Sequence, residues 1–415
     1  MIPFRMASFP LILLCVSTQL LAEAPSSLDE WVAQMQADRT QAEALVDQGN
    51  LRAAADLLAA SWRGLPPAYP ELADTATASM QLLLFIMEYL MDEPTVSLFV
   101  AESLNPQPGD SDKFIRTVYD VAIGQETAGK TQATIEMTYL TESANPFVRI
   151  GALFMLSDPY YFTDPAFVKG MSGILARDFP NLTVTQEAIR LSLYAVADED
   201  PDVIEQALGP DPGDPTKAQG GTPSQNAAEA AIARVLSNDE VAGALREALP
   251  DLAADPPRAL QKLCNNALNA SEWRTRYGCL LIAERRPAQS SAAFKTTFSN
   301  LAKRENRTPD VAHARVLAGN EFRGSYTPEK SQTTLDEAAR AALQLLQTDW
   351  TAFPYERNLY EECLKEVQNM AAWMAEQGHV ETAKDLYRAL AQKYPNSLVS
   401  SACTNRLEEL AKNGD

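Results

Sequence analysis

Apolar residues recur along this chain at three- and four-residue steps almost without interruption. Leu45, Leu51, Ala54, Leu57 and Leu58 follow that spacing, as do Phe114, Val118, Val121 and Ala122. Leu386, Leu390, Leu398 and Leu407 continue it in their own stretches near the C-terminus. This is the period of an amphipathic α-helix; sustained alternation, the mark of half-buried strands, is nearly absent. Asp164-Pro165 and Asp200-Pro201 each pair an N-cap side chain with a proline suited to the first helical position. Helices of about 10 to 18 residues, joined by short Gly, Pro and Asn turns, predict an all-α chain of antiparallel hairpins.

Two stretches repeat one another. QGNLRAAADLLAASWRGLP places Gly49, Ala54, Leu58 and Pro66 at the same offsets at which QGHVETAKDLYRALAQKYP places Gly378, Ala383, Tyr387 and Pro395. Glycine permits a tight turn between helices, and alanine lets two backbones approach. The larger side chain one turn on fills the groove between helices, and proline ends the second helix. Both stretches resemble the second half of a tetratricopeptide repeat. Around Val367 and Ala371, where the first half would carry a large aromatic residue and a glycine, the match weakens. In the middle, Asn145 to Leu153 resembles the start of a HEAT-type second helix, and Arg276, Gly278, Cys279 and Leu280 repeat its Arg149, Gly151, Ala152 and Leu153. A third segment, Thr185 to Val196, has the helical face without the arginine. The resemblance implies an α-solenoid of stacked hairpins with a broad concave binding surface. GPDPGDPTKAQGGTPSQN, residues 209–226, is too rich in Pro and Gly for helix or strand. It divides the chain into arms at 23–208 and 227–415, or else loops out of one continuous solenoid.

Composition adds a compartment. The first 22 residues read as an export signal: Arg5 supplies the positive end, Phe9 to Val16 the apolar core, and Ala22 and Ala24 the small residues before cleavage. Cleavage after Ala22 is expected, with a periplasmic or secreted product. Cys15 follows Leu14, where a lipid-attachment motif usually has a small residue. No other run approaches 18 apolar residues, so the processed chain is expected to lack a membrane span. Four cysteines remain: Cys264, Cys279, Cys363 and Cys403. Cys264 and Cys279 lie on neighbouring helical stretches and are the most plausible disulfide pair; burial of all four as small apolar residues is the alternative. Thirty-five basic against 55 acidic residues give a net charge of −20. That disfavours nucleic acid and anionic lipid and favours a basic partner.

Candidate chemistry is sparse. Only His313 and His379 are histidines, leaving little for imidazole catalysis or a His-rich metal site. HExxH, GxSxG and CxxC are all missing. Gly124 to Thr131 fits the P-loop pattern, with Lys130 in the phosphate-binding position. A P-loop must follow a buried strand, however, and Phe114, Val118, Val121 and Ala122 upstream have helix spacing. Glu126 would also bring negative charge to the phosphates. A hairpin turn is the simpler reading. In the loop from Asp158 to Asp164, Tyr160, Tyr161 and Phe162 have the amphipathic character of interface anchors, or else pack over their own hairpin. The expectation is an exported protein-binding scaffold, with no enzyme activity, cofactor or metal. An envelope enzyme using acidic residues is the alternative, with nucleotide binding a third reading.

Overall fold

The computed structural model describes residues 25–104, 109–123, 128–197, 199–208, 223–237, 239–286, 291–327, 332–348, 352–353 and 355–412. The residues read as an export signal lie outside them. Among the described residues there are twenty α-helices, short 3₁₀ and π turns, and no strand. The N-terminal helices are α1 (Leu28–Asp47), α2 (Leu51–Arg63), α3 (Ala73–Phe85), α4 (Glu93–Phe99), α5 (Asp110–Ile123), α6 (Ala128–Leu140) and α7 (Pro146–Leu156). The middle holds α8 (Pro165–Asp178), α9 (Thr183–Ala195), α10 (Pro201–Leu208), α11 (Pro223–Leu236), α12 (Glu240–Ala254), α13 (Pro256–Asn269), α14 (Trp273–Glu284) and α15 (Ala292–Ala302). The C-terminal set is α16 (Pro309–Gly324), α17 (Gln332–Leu345), α18 (Arg357–Glu376), α19 (Val380–Lys393) and α20 (Leu398–Lys412).

Local chemistry sets many of these boundaries. Asp164 accepts hydrogen bonds from the amides of Ala166 and Phe167 while Pro165 opens α8, and Asn145 caps α7 in the same way ahead of Pro146. Helix α10 begins at Pro201, after Asp200. Helix α11 opens at Pro223, four residues inside the stretch expected to be irregular. Residues 209–222 lie outside the described set.

The helices stack on their chain neighbours, giving an all-α, solenoid-like fold. Gly49 and Gly378 sit in the turns between α1 and α2 and between α18 and α19, with φ of +73° and +84°. Ala54 and Ala383 are fully buried behind those turns, with Leu58 and Tyr387 one helical turn further on. Helices α2 and α19 stop at Arg63 and Lys393, shortly before Pro66 and Pro395. The N-terminal core is anchored by Trp62. Its indole N–H donates to the Ala76 carbonyl at 3.1 Å and its ring lies 5.0 Å from that of Phe114. Burying an aromatic side chain of this kind stabilises the fold by about 3 kcal/mol.

The solenoid does not end in two free tips. One contiguous apolar core runs from Met35 to Ala188 and continues into Ala312 to Cys403, and a second fills the middle from Ala176 to Ala314. The C-terminal helices therefore pack back on the N-terminal ones. Helix α18 meets α3, and α20 meets the π turn Ile86–Leu90 that extends α3. At Gly49, an added Cβ would stand 2.6 Å from the Pro395 carbonyl oxygen, so the two self-similar hairpins touch. The superhelix closes on itself along this seam.

Candidate functional site

The seam is built from residues far apart in the chain. The wide π turn after α3 presents Glu88 and Tyr89 to α18. Arg357 Nη1 lies 2.7 Å from Glu88 Oε2, with both side chains largely buried, and the Tyr89 hydroxyl donates to Glu361. Burial holds the Glu88 carboxyl above the usual carboxylate range despite the opposing charge of Arg357. The Tyr355 hydroxyl donates to the Asp74 carbonyl at 3.2 Å. Phe85 stacks on Tyr360 with ring centroids 4.4 Å apart, and the Tyr360 and Tyr394 hydroxyls are hydrogen-bonded. Further out, Lys393 Nζ is 3.5 Å from Asp47.

Closure leaves a cavity of about 430 Å³ between α1, α3, residues 346–348, Phe353 and Glu356, the start of α18, and the end of α19. Its apolar wall carries Leu82, Phe85, Phe353, Tyr360 and Tyr394. Among the described residues three cations also line it, and each has a carboxylate: Arg39 with Glu43 at 3.1 Å, Lys393 with Asp47, and Arg357 with Glu88. Glu356 differs, because among the described residues no basic group comes within ion-pair distance of its carboxyl. Burial, with Glu187 nearby, pushes this carboxyl up to about 8, against the pull of Arg274, Arg190 and His313. Among the described wall residues, Thr348 is 5% exposed and its buried Oγ1 has no intramolecular partner; Gln81, 6% exposed, also lines the cavity.

Behind Glu356 lies a buried charge network. Glu187 accepts from Arg190 at 2.8 Å and from Arg274 at 3.1 Å, and Arg190 continues to Asp239 at 2.8 Å. His313 Nε2 is 2.7 Å from Glu284, while Nδ1 stands 3.4 Å from Glu362, close enough for attraction but not aligned for a hydrogen bond. Burial works against the charged imidazole, yet these two carboxylates outweigh it and raise the group to about 9. No protein-family model, no curated protein and no solved structure matches this chain. Among the described residues, no three or more His, Cys, Asp or Glu side chains are grouped to hold a metal ion. No described helix is long and apolar enough to cross a membrane.

The residues singled out from sequence fall around this site unevenly. Tyr161 is 2% exposed beneath the Arg357 guanidinium, 5.4 Å from its ring, so it is a wall of the seam and closed to a docked partner. Tyr160 is 42% exposed and its hydroxyl lies 3.4 Å from Glu361, while Phe162 packs 5.7 Å from Phe167. Of the three, only Tyr160 presents a largely open face. Cys264 and Cys279 do lie on a packed hairpin, α13 with α14, but as buried free thiols, like Cys363 and Cys403. Burial pushes the Cys279 thiol up to about 12. Residues 124–127 of the P-loop pattern lie outside the described set. The segment before them is helix α5 rather than a strand, and Lys130 and Thr131 belong to α6.

Glu356, Gln81 and Thr348 were not anticipated, for no motif marks them. One signal was readable nearby. Arg357 and Glu361 share a face of α18 with Leu364, Glu366 shares another with Leu359, Cys363 and Met370, and all three charged residues are buried. Charged residues on a buried face need partners from elsewhere in the fold.

Proposed function

We propose that this chain is an exported helical-repeat scaffold that binds a segment of another protein, and that the seam cavity is where it does so. The observation that supports the reading is the cavity itself. It sits where the two ends of the superhelix meet, and it carries a buried hydroxyl, Thr348 Oγ1, with no partner inside the molecule. Leaving such a group unsatisfied costs about 1–3 kcal/mol, a cost that an incoming ligand relieves. About 430 Å³ suits one or two side chains of a polypeptide rather than a folded domain. Both hairpins at the seam keep the tetratricopeptide-like offsets, and Arg276 on α14 meets Asp310 on α16 at 2.6 Å in a HEAT-like manner. The export signal read at residues 1–22 puts the partner in the cell envelope or outside the cell.

Affinity capture from an envelope extract tests this reading. The native protein is expected to begin at Glu23 and to retain a partner. Ala78→Leu, which narrows the cavity, should release that partner without lowering the thermal midpoint by more than a few degrees. Retention of the partner by Ala78→Leu would remove the cavity from the reading. A second reading, an acid-dependent envelope enzyme, draws on Glu356, which stays largely protonated at neutral pH and feels the charge of Glu187. It would require hydrolysis by the purified chain that is lost in Glu356→Gln.

A further inference from the structure

We infer that the seam cavity receives the cationic side chain of a lysine or arginine from the bound protein, with Glu356 as its charge partner and Thr348 and Gln81 as further hydrogen-bonding groups. The inference rests on the binding reading above and names the chemistry recognised. Among the described residues, every cation on the wall is already matched by a carboxylate, whereas the Glu356 carboxyl has no ion-pair partner. Among these residues an anionic ligand would meet Glu43, Asp47 and Glu356 without finding an unmatched base. A cationic one finds an unmatched acid.

The rest of the wall fits the same ligand. Phe85, Phe353, Tyr360 and Tyr394 offer apolar surface for a three- or four-carbon stem and ring faces for the charged end. The Thr348 hydroxyl and the Gln81 carbonyl can accept the remaining N–H groups of an ammonium or guanidinium. At longer range, a chain of net charge −20 draws basic segments toward itself.

A cation placed beside Glu356 favours its ionised form, so binding expels a proton. The charged groups surrounding this carboxyl are Glu187 and Arg190 on α9, Arg274 on α14 and His313 on α16. Arg39, Glu43 and Asp47 on α1, Arg357 on α18 and Lys393 on α19 also line the cavity, and Tyr194 on α9 and Tyr277 on α14 interact with Glu356. Because the free carboxyl ionises only near pH 8, affinity for a lysine side chain should rise with pH from 6 to 8 and then level off.

Calorimetric titration of the purified chain with nine-residue Gly/Ser peptides carrying a central lysine, arginine, norleucine or glutamate tests this directly. The lysine or arginine peptide is expected to bind at least tenfold more tightly than the norleucine peptide, and more tightly at pH 8 than at pH 6. Glu356→Gln should weaken binding about tenfold and remove the pH dependence. Thr348→Val should weaken it a few-fold, with helical circular dichroism unchanged in both. Equal affinity for norleucine, tightest binding of glutamate, no binding of any peptide by folded wild type, or no effect of Glu356→Gln would each overturn the assignment. So would butylammonium binding as well as the lysine peptide, since it would place the source in a small amine. If the assignment fails while Ala78→Leu still releases the captured partner, the scaffold reading survives it.

Discussion

His313 shows how one residue ties distant helices together through its charge. It is 3% exposed on α16, its ring edge-on to Tyr277, with Glu284 from α14 and Glu362 from α18 at its two nitrogens. Its value of about 9 in the folded protein exceeds the ordinary 6.5 of an unfolded chain. The folded state therefore holds this proton more tightly. The resulting stability is complete below about pH 6.5, falls as pH rises, and is gone above about pH 9. Urea unfolding at pH 6 and pH 9.5 should show the wild type losing on the order of 2 kcal/mol more than His313→Gln over that interval. Equal losses in the two proteins would contradict this account. Glu356 titrates in a different window. A raised carboxyl costs stability as pH climbs from about 4.5 to 8, so comparison with the variant is what isolates the histidine.

The helices are joined by a recurring device at the scale of elements. An arginine on one helix reaches an aspartate at the start of a later one: Arg63 to Asp112, Arg190 to Asp239 and Arg276 to Asp310. The aspartates sit where the helix dipole favours negative charge, and Asp239 also caps α12 through the amides of Val241 and Ala242. Arg190 lies inside the segment read from sequence as lacking the arginine, so the device is present there at a shifted position. Asp74 of α3 does a related job, capping α9 through the amides of Thr183 and Val184 at 3.0 and 2.8 Å. Where arginines bind the helices, glycine lets them approach. A Cβ at Gly278 would come within 2.8 Å of the Tyr194 hydroxyl and of Val241 Cγ2. Gly278→Ala is thus expected to destabilise the protein by about 1–3 kcal/mol. Gly243→Ala in α12, with nothing within 4 Å, should be neutral or stabilise by up to about 1 kcal/mol. Thermal melts of the two variants check the contrast, and similar midpoints would mean that α14 has room to shift.

At the scale of the whole molecule, closure changes what the repeat pattern alone leads one to expect. An open array of this length would scatter as an elongated particle with an extended concave face. Here the ends meet through contacts as distant in sequence as Asp47 and Lys393, so the array is closed rather than open. A chain of this size folded compactly has a radius of gyration of about 21 Å, and solution scattering should give a value within a few ångströms of it. Arg357→Glu combined with Lys393→Glu puts like charges against Glu88 and Asp47 and should open the seam. The expected result is a larger radius with little loss of helical circular dichroism, since each hairpin keeps its own neighbours. An unchanged radius would mean that the apolar packing of Phe85, Tyr360 and Tyr394 holds the seam without the ion pairs.

The amino-acid sequence by itself determined the local half of this structure. Helical periodicity, the Asp-Pro and Asn-Pro starts, and the Gly–Ala–Leu/Tyr–Pro offsets act over a few residues or one hairpin, and each appears where its pattern lies. The two self-similar hairpins were visible as a pair, but their contact across Gly49 and Pro395 was not. Whether the stack stays open depends on small rotations between successive helices, summed over the whole chain. The same sum decides that Tyr161 is buried under Arg357 while Tyr160 stays exposed, and that Glu356, Gln81 and Thr348 share one cavity. Periodicity records which face of a helix is apolar. Only the tertiary structure decides what that face meets, because the partner comes from hundreds of residues away and leaves no mark in the local pattern.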